Sequence, residues 1–280
     1  MGPDEFEFLR TFLKDHSGLV VTPDKMYLIE TRLMPVARKH GYNNIAELVG
    51  AHRERGDQSI ATDISEAMNT HESLFFRDNT PFELFETTLL PALLQRRQEK
   101  KKFRVWCAAC SSGQEPYSLA MMFNENAAKL QGWRPEIIAT DISHAVLDRA
   151  AEGVYSQFEV QRGLPVKYLV KYFKQDGEYW QLNTDVRDMV KFQHFNLMKD
   201  PRTLGSFDVV FCRNVLIYFD VETKSLVMDG IQRVLAKDGV LFLGSAESTI
   251  GITEAFWPVK AGRGVYKHTD GPACLMEDES

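Results

Sequence analysis

Residues 103–118 (FRVWCAACSSGQEPYS) contain two sets of side chains that could do chemistry, and the two sets belong to different kinds of enzyme. Trp106, Cys107 and Cys110 form a Trp-Cys-x-x-Cys sequence that leaves a predicted strand and opens a predicted helix. A helix N-terminus favours the thiolate and lowers the pKa of a cysteine there, so a redox site is chemically reasonable. The sequence that follows does not continue like a thioredoxin-like domain, and only the spacing favours this hypothesis.

The same stretch can instead form a turn that binds a cofactor. Small residues let the backbone turn tightly at the carboxyl end of a strand, where open α/β sheets bind ligands. These residues are Ala108, Ala109, Ser111, Ser112 and Gly113. One strand later, Asp141 ends the stretch IIATD, where a carboxylate can accept hydrogen bonds from both hydroxyls of a ribose.

The turn lacks the G-x-G-x-x-G pattern of loops that bind a pyrophosphate. Glu115 would repel a phosphate but attract the cationic amino group of a methionine moiety, which favours a nucleoside such as that of S-adenosylmethionine. Glu115 could equally be an acidic residue that stabilises the N-terminus of the helix.

Two later segments also follow predicted strands. Asn196 and Leu197 lie in HFNLMKD, and Arg213, Asn214 and Tyr218 lie in FCRNVLIYFD. At the ends of parallel strands these side chains could close the same pocket. An asparagine after a strand is also a common turn residue, and a tyrosine is also a common core aromatic.

Composition excludes several classes of protein. The formal net charge of −6 argues against a broad nucleic-acid-binding surface. No apolar run approaches the roughly 20 residues of a membrane span, and the N-terminus MGPDEFEFLR does not resemble a secretory signal. Four cysteines in 280 residues do not predict a disulfide framework. Cys212 and Cys274 each stand alone, without a histidine at a suitable spacing, so the sequence does not predict a zinc site either. We therefore expect a cytoplasmic protein without a metal or a membrane insertion.

The order of elements predicts an α/β fold with additions. Helical patterns fill residues 1–78, linking helices occupy 79–102, and strands and helices then alternate over 103–268, which predicts a parallel sheet covered by helices. The alternating pattern at about 178–195 predicts short antiparallel strands inserted into this domain. Residues 269–280 lack periodicity and predict a disordered tail.

The second predicted helix carries a basic edge. Lys25, Arg32 and Lys39 recur at seven-residue spacing beside an apolar stripe. They form either a solvated face or a docking edge for an acidic partner. Pro35 should kink or end this helix near Met34.

Five segments together resemble the chemotaxis receptor methyltransferases, the CheR family. They are THESLFFRD, WCAACSSGQEPYSLAM, IIATDIS, FNLM and FCRNVLIYF, in the order and approximate spacing of that family and over nearly the whole chain. The resemblance implies a class I S-adenosylmethionine-dependent methyltransferase sheet, a small N-terminal all-helical domain and an inserted small antiparallel β-subdomain.

The resemblance also implies site residues. The cofactor contacts of the family correspond to His71, Ser73, Arg77, Glu115, Asp141, Asn196, Leu197, Arg213 and Asn214, and Arg77 and Tyr218 match residues proposed to work beside the methyl group. His71 stands where an asparagine is common, and Ser73 stands where a threonine is common. The hydroxyl is kept at Ser73, whereas the contact of His71 departs from the pattern.

The implied activity is transfer of a methyl group from S-adenosylmethionine to glutamates on chemoreceptor signalling helices, leaving S-adenosylhomocysteine. The turn in YFKQDGEYWQL is short and lacks the insertion of members that tether to a receptor's C-terminal pentapeptide. The alternatives are a class I methyltransferase acting on a small molecule or nucleic acid, and a non-catalytic module that binds S-adenosylmethionine.

Overall fold

The computed structural model describes residues 1–260 and 262–276, and its contacts divide the chain into two units. The first unit is Met1–Thr70 together with Tyr218–Thr223, and the second is His71–Ile217 together with the chain from Lys224 onward. The first unit thus ends at Thr70, whereas the sequence prediction placed the end of the first domain at residue 78. The reason is that Phe75 and Phe76 are buried in the core of the second unit.

The first unit is helical, as predicted. Its helices are α1 (Pro3–Ser17), α2 (Met26–Lys39), α3 (Ile45–Arg55) and α4 (Gln58–Met68), with a 3₁₀ turn at Pro23–Lys25. The sequence sets their ends: Gly18 adopts a left-handed conformation after α1, and the side chains of Asn44 and Asp57 cap α3 and α4. Their apolar faces form a core of their own that includes Leu9, Leu33 and Leu48.

Helix α2 corrects the expectations for Pro35 and for the basic edge. The helix does not end near Met34 but continues past Pro35 to Lys39. Nη1 of Arg32 donates to the carbonyl oxygens of Met68 (2.6 Å) and Asn69 (3.2 Å) at the end of α4. Lys39 pairs with Asp63 at 2.8 Å. Two of the three cations thus hold α2 against α4, and the structure gives no support for a docking edge.

The second unit is built on two sheets. Its strands are β1 (Lys102–Ala108), β2 (Arg134–Asp141), β3 (Val154–Ser156), β4 (Phe173–Asp176), β5 (Tyr179–Leu182), β6 (Val190–His194), β7 (Phe207–Cys212), β8 (Leu235–Leu243), β9 (Phe256–Pro258) and β10 (Val265–His268). The helices are α5 (Thr80–Leu84), α6 (Leu90–Arg96), α7 (Gln114–Glu125), α8 (His144–Glu152), α9 (Gln157–Gln161), α10 (Val166–Tyr172) and α11 (Thr184–Arg187), and α12 (Val221–Val234) begins within Tyr218–Thr223 and continues here.

The large sheet has the order β6-β2-β1-β7-β8-β10-β9. The first five of these strands are parallel, and β10 runs antiparallel to β8 and β9. From β1 the chain first builds outward through β2 to β6, and then returns to place β7 on the other side of β1. This reversal is a topological switch point, where the carboxyl ends of neighbouring strands open a crevice for a ligand.

The small sheet differs in extent from the prediction. It has the order β3-β5-β4 and spans residues 154–182, whereas the sequence predicted an insertion at about 178–195. The second half of that alternating segment is β6, which pairs in parallel with β2 at the edge of the large sheet. A strand at the edge of a sheet that is buried on one face alternates apolar and polar residues, as a strand of a hairpin does. The sequence pattern therefore does not distinguish β6 from a strand of the small antiparallel sheet.

The predicted linking helices are part of the core. A π-helical turn at Phe85–Leu89 joins α5 to α6, so the chain stays helical up to Pro91 and beyond. Since proline lacks an N–H and crowds the carbonyl of the preceding turn, a wider turn before it accommodates its ring. Phe82, Phe85 and Leu93 are buried against the large sheet, which explains why this segment does not act as a linker.

The predicted disordered tail is wrong for the part that the structure describes. Cys274 and Leu275 are fully buried, and the amide of Leu275 donates to the carbonyl of Asp238. Arg96 also donates to the carbonyl of Ala273 at 2.7 Å. Residues 277–280 lie outside the described residues.

Candidate cofactor site

The residues that the sequence singled out in the second unit gather at the carboxyl edge of its large sheet. The turn at 108–113 follows β1, Asp141 ends β2, Asn196 and Leu197 follow β6, and Arg213 and Asn214 follow β7. Backbone hydrogen bonds tie these ends together: Cys110 donates to the carbonyl of Thr140, and Phe195 donates to that of Asp141. The sheet order therefore brings segments far apart in sequence to one edge.

The turn after β1 is held in a conformation that small residues favour. Ala109 (φ 56°), Ser111 (φ 51°) and Gly113 (φ 92°) all have left-handed backbones. The hydroxyl of Tyr155 donates to the carbonyl of Ser112 at 2.7 Å. A Cβ added at Gly113 would lie 3.1 Å from both the Ala150 Cβ and the Tyr117 ring, so the turn leaves no room for a side chain there.

Asp141 is a buried carboxylate with unused acceptor capacity. Only 6% of the residue is exposed. One oxygen accepts from the amide of Ser111 (2.9 Å) and the other from that of Ser143 (3.1 Å). Burial raises its pKa, while these amides and nearby His71 act in the opposite direction. Because two carboxylate oxygens offer about four acceptor sites, the side chain can still accept two hydrogen bonds from a ribose.

Arg213 is a buried cation between one largely buried carboxylate, Glu115, and one that is partly exposed, Asp78. Its side chain is 2% exposed, and it pairs with Glu115 at 2.9 Å and with Asp78 at 2.8 Å. It also donates to the carbonyl of Arg77 at 2.8 Å. Glu115 is thus an ion-pair partner rather than only an N-terminal helix acid, and burial raises its pKa against the opposing effect of Arg213.

The cluster around Arg213 offers a carboxylate and a guanidinium, which are suitable partners for the ammonium and the carboxylate of a bound amino acid. One cation stands between two carboxylates, so the group carries a net negative charge while presenting a guanidinium edge. Among the described residues, Ser111 Oγ, Arg187 Nε and Arg213 Nε are the buried side-chain atoms without a hydrogen-bond partner. Two of the three lie at the candidate site. Because buried polar groups are normally hydrogen-bonded, Ser111 Oγ and Arg213 Nε fit contacts with a polar ligand.

The segment around Arg77 is strained and firmly anchored. Phe76, Asp78 and Asn79 all have positive φ angles, between 50° and 66°. The Phe76 ring stacks on Tyr168 with centroids 5.1 Å apart, and its amide donates to Ser118 Oγ at 2.9 Å. Unfavourable backbone angles held by packing are typical of functional segments.

The remaining predicted residues differ in how the structure places them. His71 lies near enough to Asp141 to influence its ionisation, and Ser73 is half-buried in the same segment. Asn196 Oδ1 accepts from the amide of Met198, and Leu197 is half-buried beside it. Asn214 has a left-handed backbone (φ 60°). Tyr218 ends a 3₁₀ turn, and its carbonyl accepts from Val20 within the first unit.

Two acids at this edge were not predicted from the sequence, and Ser111 was predicted there for its small size and not for its hydroxyl. Asp78 pairs with Arg213, Glu247 accepts from the amides after β7, and Ser111 lies with its buried hydroxyl at the turn. Asp78 was within a segment already singled out, which is a usable signal. Glu247 follows β8 in an unremarkable GSAES sequence, and nothing in its type or spacing indicates a role.

The cysteines do not form the redox site that the spacing allowed. Cys107 and Cys110 are buried free thiols. Burial raises the pKa of both well above the ordinary value, and the nearby carboxylates add to the effect. A redox cysteine needs a stabilised thiolate, so these side chains instead act as small apolar residues.

We therefore expect Cys107→Ala and Cys110→Ser each to keep most of the methyl-transfer activity that the resemblance implies. Each change should lower the free energy of unfolding by only about 1 kcal/mol, because a small buried group is removed or made polar. Initial rates and thermal unfolding of the purified variants check this. Loss of turnover in a folded variant that still binds cofactor would restore the redox hypothesis.

The described residues contain neither a candidate metal cluster nor a helix that could span a membrane. Residues 1–260 and 262–276 contain no group of three or more histidines, cysteines or acids arranged to hold a metal ion. Over the same residues, no helix combines the length and the apolar character that crossing a bilayer requires.

Comparisons with known proteins agree with this geometry. Residues 71–265 match the family "CheR methyltransferase, SAM binding domain", and residues 4–58 match "CheR methyltransferase, all-alpha domain". The chain is 35% identical over 266 residues to Chemotaxis protein methyltransferase Cher2 of Pseudomonas putida, covering 93% of this chain and 96% of that protein. It is 37% identical over 267 residues to Chemotaxis protein methyltransferase 1 of Pseudomonas aeruginosa, again covering 93% and 96%. The two family matches and these identities over nearly the full length show that the chain belongs to the CheR methyltransferase family.

Proposed function

We propose that this protein transfers a methyl group from S-adenosylmethionine to glutamate side chains of chemoreceptor-like proteins. Its family makes it an S-adenosylmethionine-dependent methyltransferase. The observation that supports the proposal is that one edge of the sheet carries both a buried carboxylate, Asp141 at the end of β2, and the cluster of opposite charges around Arg213 after β7. The names of the relatives support a chemoreceptor substrate.

The residues present fit the cofactor part by part. Asp141 retains acceptor sites for two ribose hydroxyls. Glu115 offers a carboxylate to an ammonium group, and the Nε of Arg213 offers a donor to a carboxylate. The side chains of Asn196 and Asn214 supply amides beside them, and we propose His71, Ser73 and Leu197 as further contacts.

When bound, S-adenosylmethionine supplies an electrophilic methyl group on a sulfonium. The acceptor glutamate is already ionised near pH 7, because an ordinary glutamate has a pKa of about 4.3. The protein therefore needs no general base, and its contribution is alignment and the exclusion of water. We assign the orientation of the acceptor carboxylate to Arg77 and Tyr218.

The surroundings of Arg77 suit such a role. Its backbone carbonyl is held by Arg213, and its neighbours Phe75 and Phe76 are buried in the core. The Arg77 side chain itself is half-buried, and Nη1 makes only a long 3.3 Å bond to the carbonyl of Glu72. A guanidinium on a fixed backbone, with most of its donors still available, can pair with an incoming carboxylate.

The test is transfer of a labelled methyl group to a receptor signalling-helix fragment. We expect label that is released as methanol by mild base, because a glutamyl methyl ester is base-labile. A substitution of the acceptor glutamates by alanine in the fragment is the matched control and should remove the label. Stable label, or label on a small molecule or a nucleic acid, would favour a different methyltransferase, and binding without turnover would favour a regulatory module.

The small sheet supports a proposal about receptor recognition. Strands β4 and β5 are joined by a two-residue loop, Gly177-Glu178, with Asp176 paired to Tyr179. This hairpin has no inserted residues with which to bind a tether. We propose direct docking of the methylated region, without capture of a C-terminal pentapeptide.

We accordingly expect receptors with and without a C-terminal pentapeptide to be methylated at rates within about twofold of one another, since no extra contact raises the effective concentration of the substrate. Initial rates on a matched pair of receptors, identical except for the last five residues, provide the measurement. Binding of the free pentapeptide with low-micromolar affinity would contradict the inference.

We also propose that the protein works in the cytoplasm. Cys107, Cys110, Cys212 and Cys274 are all buried as thiols and not as disulfides. Structural thiols that stay reduced are typical of a reducing compartment.

A further inference from the structure

Glu247 has a role that the family resemblance did not assign. It follows β8, only 8% of the residue is exposed, and its two carboxylate oxygens accept from four backbone amides. One oxygen accepts from Asn214 and Gly244, both at 2.7 Å. The other accepts from Leu216 (2.8 Å) and Ile217 (3.3 Å).

These hydrogen bonds join two loops of the candidate site. Asn214, Leu216 and Ile217 belong to the loop after β7, and Gly244 belongs to the loop after β8. Backbone amides point at the carboxylate from both loops, so the acid fills an anion-binding nest made by the chain itself. Removing this acceptor would leave the buried amides of Leu216 and Gly244 and the partly buried amides of Asn214 and Ile217 without their partner, which is costly.

The clamp holds a loop that has a left-handed residue in it. Asn214 adopts φ 60°, a conformation that is uncommon outside glycine and that asparagine adopts more readily than most residues. A Cβ added at Gly244 would lie 2.7 Å from the Glu247 carboxylate and 2.8 Å from the Asn214 side-chain amide. The loops therefore touch closely, and the carboxylate fixes the amide of Asn214 at a defined place.

We propose that Glu247 is a positioning residue that holds Asn214 in its cofactor-binding geometry. The proposal rests on the proposed function in one respect, since it takes Asn214 as a cofactor contact. The carboxylate acts through the backbone and touches neither cofactor nor substrate. Its effect should therefore appear in cofactor affinity and should depend on the Asn214 side chain.

The experiment measures S-adenosylhomocysteine affinity by calorimetry in Glu247→Gln, Asn214→Gly and the double variant. Glutamine has one acceptor oxygen, so two of the four amides lose their partner, and we expect the Kd to rise about tenfold or more. Asn214→Gly removes the side chain while permitting the same backbone angle. In that background we expect Glu247→Gln to change the Kd by less than about threefold, which is the non-additivity of coupled residues.

Asp208→Asn is the matched control. Asp208 also accepts a backbone amide, that of Arg104 at 2.8 Å, but at the opposite end of β7. This variant should lose stability and keep the Kd of the unchanged protein. A merely structural role for Glu247 would give the same result as Asp208, or additive losses with Asn214→Gly, and either outcome would overturn the proposal.

Two further measurements test the proposal even if Glu247→Gln does not fold. Glu247→Asp keeps the charge but is too short to reach both loops, so its Kd should lie between those of the unchanged protein and Glu247→Gln. In the unchanged protein, slow hydrogen exchange at the amides of Asn214 and Leu216 is expected, and fast exchange there would overturn the clamp without any variant. If the unchanged protein binds no cofactor, the proposed function fails, which is a distinct result.

Discussion

Arg213→Ala is expected to abolish methyl transfer and to lower the free energy of unfolding by about 3–5 kcal/mol. The change removes a nearly fully buried cation and leaves the carboxylates of Glu115 and Asp78 without their partner. It also frees the carbonyl of Arg77, which anchors the strained segment beside it. Denaturant unfolding and calorimetry with S-adenosylhomocysteine measure the two effects, and the Kd should rise at least about tenfold.

Arg97→Ala separates stability from function. Arg97 pairs with Asp208 at 2.7 Å and with Asp238 at 2.6 Å, and both acids lie toward the amino ends of β7 and β8, away from the site. This variant should also be destabilised, yet its folded form should bind cofactor normally. An unchanged cofactor Kd in folded Arg213→Ala would place the cofactor elsewhere.

Asp141→Ala is expected to weaken cofactor binding by about 1.5–3 kcal/mol, or roughly 10- to 150-fold in Kd. The carboxylate is the only acidic side chain at the carboxyl end of β2, and in the proposed function it accepts hydrogen bonds from the ribose hydroxyls. Its loss also leaves the amides of Ser111 and Ser143 without their acceptor, so the turn after β1 should loosen. Calorimetry at a low temperature, where the variant is fully folded, measures the affinity for S-adenosylhomocysteine.

Glu136→Ala is the comparison for Asp141. Glu136 lies on the same strand at its other end and pairs with Arg104 at 2.8 Å and Lys102 at 3.3 Å. Glu136→Ala should therefore lower the free energy of unfolding modestly and leave the Kd for the cofactor unaltered. Asp141→Asn keeps one acceptor oxygen, so its cofactor affinity should lie between those of the alanine variant and the unchanged protein. Equal affinities for Asp141→Ala and Glu136→Ala would contradict the ribose assignment.

The sequence predicted the parallel strands and the capped helices well because their signals are local. Continuous apolar runs mark β1, β2, β7 and β8, and α8 is bounded by Ser143 and Gly153, residue types that commonly cap helices. The resemblance then placed the site segments in order. These features depend on neighbouring residues, so a single sequence contains them.

The features that the sequence did not predict depend on distant partners. Nothing in the pattern of β6 shows that it pairs with β2 rather than with a hairpin neighbour. Arg32 looked like a solvent-exposed cation until α4 brought the carbonyl of Met68 to it. Glu247 is an ordinary acid in sequence and becomes a clamp only when β7 and β8 pair.

The position of β1 also affects how the chain folds while it is being synthesised. β1 is near the middle of the sheet, and Val105 pairs with Val209 on β7, 104 positions later. At typical rates of synthesis the interval between the two strands is on the order of 5 to 20 seconds. During that time one edge of a buried apolar strand has no partner strand and can pair with other nascent chains. The yield of soluble protein should therefore depend on the rate of translation and on chaperones, independently of how stable the finished fold is.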